Sequence, residues 1–194
     1  MSKSYKELFE LYENVFKPAY ADLVSYIGRK PINILVEMEN ALAHIFVSFD
    51  DSQPSDIRSD NVKKAYNHIV RATLDCYKLL WVQLNEDIDE IFKSNTKRLA
   101  LTMPESEFLK LRSLFKEKAR EARKKELNNV GKNPLAPVKE YMEAIEIGKQ
   151  IINSLDNEKE GRARRFLLRS KWWELITAFV LGLLVNKVYD LFFK

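Results

Sequence analysis

Residues 172–193 read WWELITAFVLGLLVNKVYDLFF, and the architecture turns on whether this is the last helix of a soluble core or a membrane span. The run free of charged and amide side chains, residues 175–185, is eleven residues long, short of the stretch of about 20 that crosses a bilayer. The whole 22-residue element measures about 33 Å as an α-helix, close to the ~30 Å of a hydrocarbon core. Glu174 lies within a turn of one end and Asp190 within a turn of the other. Charges there can snorkel, so they cost less than the ~2.5–3.5 kcal/mol of a central position. Twelve Leu, Ile, Val and Phe residues contribute about −0.3 to −0.6 kcal/mol each on the insertion scale, enough to offset them.

The flanks are ordered as those of an anchor. Arg162, Arg164, Arg165, Arg169 and Lys171 precede the element, where they would meet lipid headgroups, and Trp172 and Trp173 fall at the aromatic belt. Residues 1–160 hold 25 Lys+Arg against 26 Asp+Glu, and residues 161–194 hold seven against two. The net charge of +4 therefore originates in the tail. The sequence thus predicts a helical body over residues 1–160, a basic junction over 161–171 and a transmembrane helix over 172–193. By the positive-inside rule the body is cytoplasmic and the C-terminus crosses outward through the plasma (inner) membrane. Two other placements remain open: an amphipathic helix lying on the membrane, and a buried helix of a soluble protein.

Inside the element, Glu174, Ala178, Gly182, Asn186 and Asp190 recur at i+4, a ridge of small or polar side chains. Small residues let helices approach closely, and polar groups in a bilayer seek partners or water. The ridge either packs on one neighbouring helix or faces a lumen shared by several copies. One span cannot make a pore alone, so the second arrangement requires a homo-oligomer.

The body reads as all-α, a bundle of long antiparallel helices. Five glycines and six prolines are few and fall between segments. Ser4 with Glu7 forms a capping-box pattern, and Pro18 is expected to kink or divide the first helix. Residues 31–49 read as a second helix, largely buried. The third, from about Asn61 to Ser94, is free of Gly and Pro. Thr102 with Glu105 is a second capping-box pattern, opening a fourth helix that Gly131 ends; a fifth follows Pro137. No strand pattern or internal repeat stands out. The single cysteine, Cys76, rules out an internal disulfide framework and fits a reducing compartment.

Few residues suggest catalysis. Two histidines, His44 and His68, lack metal spacing, and no HExxH, CxxC, phosphate-loop or nucleophile-elbow motif is present. The expectation is a protein that is not an enzyme, with no cofactor and no metal. Two cationic sets could meet an anionic ligand: Lys64, His68, Arg71 and Lys78 on the third helix, and Lys116, Arg120, Arg123 and Lys124 on the fourth. Their ordinary alternative is a solvated face carrying i,i+4 ion pairs. An anionic partner would be nucleotide, nucleic acid or the anionic leaflet.

A helical body, an arginine-rich junction and a C-terminal span of the WWxxxxxFxxGLLxN kind resemble small membrane effectors of bacterial antiphage abortive-infection systems, of the Hailong and CBASS types. The resemblance implies an oligomerising effector that senses a nucleotide or oligonucleotide signal, supplied by a partner enzyme, and permeabilises the membrane. The body is also similar to HEPN helical bundles, whose ribonucleases carry Arg, four to six residues, then His. Here Lys63 stands where that Arg would be, with four residues between it and His68. Rival readings are a tail-anchored adaptor without pore activity and a soluble HEPN-like ribonuclease.

Overall fold

A computed structural model describes residues 4–129 and 132–193, with side chains described as far as Val185. It is all-α: α1 (Tyr5–Leu11), a π-helical turn (Tyr12–Phe16), α2 (Lys17–Ile27), α3 (Ile32–Ser48), α4 (Ser55–Lys93), α5 (Asn95–Ala100), α6 (Glu105–Asn128), α7 (Val138–Asn153) and α8 (Asn157–Phe193). The 39-residue α4 is the spine of the bundle, with α1, α2, α3 and α7 packed along it. Its Ala65, Ile69, Leu80, Leu84, Ile88 and Ile91 are all buried, an apolar stripe at helical spacing. The opposite wall comes from Phe108 and Phe115 of α6 and Ile151 of α7, each fully buried.

Local signals decide the ends. Ser4 caps α1 in a complete capping box with Glu7. Gly28 ends α2 at φ 70°, a left-handed conformation that glycine adopts without strain. Pro18 does divide the first helix, although through the π-helical turn just upstream rather than a break. Proline lacks an N–H and crowds the carbonyl four residues back, and the wider turn absorbs the mismatch.

Four expectations need correction. The third helix, expected from about Asn61, begins six residues earlier as α4 at Ser55, with Pro54 at its N-cap. The second capping box does not form: Pro104 is the N-cap of α6, and Thr102 instead donates its hydroxyl to the Ser154 carbonyl at 3.0 Å. The short α5 was unforeseen; Ser94 caps it by accepting from the Lys97 N–H. Most consequentially, α3 is not largely buried. Ile34 and Ala41 are buried against α4, but Ile32, Leu42, Phe46 and Phe49 are more than half exposed. The proposed stop at Gly131 lies outside the described residues; α6 ends at Asn128.

The tail is one uninterrupted 37-residue helix that contains both the basic junction and the expected span. Its first turns are tied down. The Asp156 N–H donates to the Ala100 carbonyl at 3.1 Å, and Lys159 Nζ to the Leu101 carbonyl at 2.8 Å. Beyond them, every residue from Lys171 to Val185 is exposed. Among the described residues no helix is long and apolar enough to cross a membrane. The expected span is helical throughout, but its side chains are described only as far as Val185, and those of Asn186 and Asp190 lie outside.

Candidate functional site

The structure separates the eight cationic candidates. Lys116, Arg120 and Arg123 come together in a groove of about 500 Å³ between α4, α6 and α7, with Trp81, Asn85, Ala119 and Tyr141. The α6 spacing of three and four residues puts the three cations on one face. Trp81 and Asn85, four apart on α4, supply the facing wall. Trp81 is held by stacking on Phe115, ring centroids 6.1 Å apart.

Two of the three cations already have anionic partners. Lys116 Nζ lies 3.1 Å from Asp89 Oδ1, which also accepts from Arg112 at 2.8 Å. Arg112 in turn stacks over Phe92, 4.0 Å from its centroid. Arg123 Nη1 lies 2.8 Å from Glu126 Oε2, and Lys78 pairs with the same carboxylate. Burial pushes Glu126 upward, but hydrogen bonds from Lys78 and Arg123 outweigh it and hold the carboxyl below the usual glutamate range. Asp89 is likewise pushed up by burial and pulled lower overall by Arg112 and Lys116. The Tyr141 phenol, pushed up to about 12 chiefly by burial and also by Glu126, stays a neutral donor at physiological pH. Arg120 is exposed and makes no ion pair among the described residues. Among the described residues the groove thus offers one free guanidinium, two cations on exchangeable carboxylate partners, and two aromatic side chains. Guanidinium forks match phosphate oxygens, and an aromatic face stacks on a base.

Lys64, His68 and Arg71 belong elsewhere, on the seam between α4 and α3. His68 Nδ1 lies 2.7 Å from Glu37 Oε2, and Arg71 Nε donates to the same oxygen at 3.1 Å. The His68 ring stacks on His44, centroids 5.2 Å apart, and His44 Nδ1 bonds Asn61 Oδ1 at 2.7 Å. Lys64 pairs with Asp60 at 2.9 Å. This is a structural polar seam whose members satisfy one another. Lys78 reaches the groove only through Glu126, and Lys124 is an exposed position outside its lining. Among the described residues no group of His, Cys, Asp and Glu could hold a metal ion.

Sequence reasoning did not assign Trp81 or Tyr141 to a site. Trp81 keeps helical phase with the core of α4, so its half-exposed flank was invisible, and Tyr141 lies in an element whose partner the sequence does not give. On the tail, Arg164, Arg165, Arg169 and Lys171 are exposed, and Arg162 pairs with Glu158 at 3.6 Å. Glu174, Ala178 and Gly182 are also exposed; a Cβ added at Gly182 would meet nothing within 4 Å. No protein-family model matches the chain, nor does a curated protein or a solved structure.

Proposed function

We propose that this chain is a membrane-anchored, oligomerising effector. In this reading residues 172–193 sit in the inner membrane with the helical body on the cytoplasmic side. The groove of Lys116, Arg120 and Arg123 binds an anionic nucleotide or oligonucleotide, and assembled copies permeabilise the bilayer. The observation that carries it is the exposure of α8. Ten large apolar side chains between Trp172 and Val185 are 47–69% exposed, a patch that water-soluble proteins seldom leave uncovered. A buried core helix would have packed one face against α4 or α6. Instead the helix projects beyond the body with five basic residues and two tryptophans at its entry, the arrangement that suits a headgroup layer. The resemblance to antiphage effectors supports defence as the setting, with a partner enzyme making the signal.

Dye release tests it. Full-length chain is reconstituted into calcein-loaded liposomes of phosphatidylethanolamine and phosphatidylglycerol, and ATP or a short single-stranded oligonucleotide is added as probe. The proposal expects release that responds to at least one probe and falls with Arg120→Glu. Stable membrane association without release under any probe would instead make the chain a tether for a partner protein.

A further inference from the structure

The exposed face of α3 has an order of its own. Ile32, Leu35, Glu39, Leu42, Phe46 and Phe49 alternate in steps of three and four, the heptad seam that specifies a helical partner. A second seam on the same helix, Ile34, Met38, Ala41, Ile45 and Ser48, is already used against α4. The outer seam is mostly uncovered: Ile32 is 77% exposed, Phe46 67% and Phe49 62%, although the Phe49 ring stacks on Tyr5 of α1, centroids 5.1 Å apart. Beside it runs an apolar groove of about 490 Å³ shared with α1, where Leu8, Phe9 and Tyr12 face Met38, Leu42 and Ile45.

We infer that α3 is a self-association surface, pairing antiparallel with α3 of a second copy. The seam maps onto itself when the helix direction is reversed. Ile32 then meets Phe49 of the second copy, Leu35 meets Phe46, and Glu39 meets Leu42. The charges outside the seam obey the same reversal. Arg29 and Lys30, exposed and without ion pairs among the described residues, precede α3; Asp50 and Asp51 follow it, both exposed, with Asp51 also paired to Arg58 at 2.6 Å. Antiparallel pairing sets Lys30 beside Asp51 of the second copy. Parallel pairing would place Glu39 on Glu39 and Asp51 on Asp51, and like charges in register oppose association. The pairing supplies a contact for the oligomer of the proposed function but rests on the fold of the body alone.

Disulfide trapping of full-length chain in dodecyl maltoside tests it without reference to permeability. Leu35→Cys and Phe46→Cys variants, one carrying a mass tag, are mixed and oxidised; the native Cys76 is buried and contributes no background. The expected product is the mixed disulfide. Phe46→Cys alone gives little, because antiparallel copies of that position lie about 16 Å apart along the axis at ~1.5 Å per residue. Lys30→Glu should raise the dimer dissociation constant about threefold to tenfold through two symmetry-related pairs, and adding Asp51→Lys should restore it. Like-with-like disulfides, or a monomeric mass at tens of micromolar with no trapped product, would overturn the inference.

Discussion

Lys116 of α6 lies 3.1 Å from Asp89 of α4, so one of the groove's three cations is held by the protein's own carboxylate before any ligand arrives. Removing that competitor should favour an anion. Asp89→Asn is expected to tighten ATP or oligonucleotide binding by roughly threefold to tenfold, and Arg120→Glu to weaken it by at least tenfold, since a charge-assisted hydrogen bond contributes about 1.5–3 kcal/mol. Calorimetric titration of both variants checks the pair; equal affinities across them would remove the groove from the account.

The same carboxylates make stability fall in acid. Glu126, Asp89 and Glu140 all sit below their ordinary values of 4.5, 3.8 and 4.5 in the folded chain. A depressed carboxylate contributes stability above its unfolded value and loses it as pH falls through the folded one. Asp75, pushed up by burial, works the other way: its penalty is relieved as pH falls. With Asp50 and Asp60 also held low, five groups against one predict a net loss below about pH 4.5. Lys78→Met should lessen the Glu126 share. Thermal melts between pH 3 and 6 follow both effects.

Gly148 of α7 marks a close helix approach in the body. A Cβ there would stand 3.0 Å from Phe115 Cε2 and 3.1 Å from Leu84 Cδ1, and both side chains are fully buried. The crowding should outweigh the roughly 1 kcal/mol that alanine gains over glycine in a helix. Gly148→Ala is expected to destabilise the body by about 1–2 kcal/mol in urea unfolding, within the ordinary range for overpacking. Gly161→Ala, with nothing within 4 Å, should instead stabilise α8.

Breaking the polar seam is expected to cost stability rather than ligand binding. His68→Ala leaves Glu37 with Arg71 alone and removes the ring on which His44 stacks. A loss of about 1–3 kcal/mol follows from a half-buried carboxylate deprived of one partner. The check is a lowered melting temperature with anion affinity unchanged.

How much of this was legible in the chain depends on whether the deciding interaction is local. The all-α class, the Ser4 cap and α4 follow from spacing within one segment. Trp81 and Tyr141 did not declare themselves, because their groove needs α4, α6 and α7 to meet. For α3 the sequence was misleading: its two apolar seams read as a largely buried helix, whereas only the face carrying Ile34 and Ala41 is packed on α4 and the outer one stays mostly exposed. Thr102 illustrates the same limit, since a distant carbonyl of Ser154 outcompeted the local cap. The cationic candidates divided for a related reason. Residues that share one face of α4 meet α3 at His68 but α6 at Lys78.

The membrane assignment of residues 172–193 is tested most directly by liposome flotation of the full-length chain with alkaline carbonate extraction. The account predicts that the protein floats with phosphatidylethanolamine–phosphatidylglycerol vesicles, resists both 1 M salt and carbonate, and stays in the load fraction when residues 172–193 are deleted. Release by salt or carbonate would reduce the tail to a surface contact, and full-length protein that never floats would contradict the account.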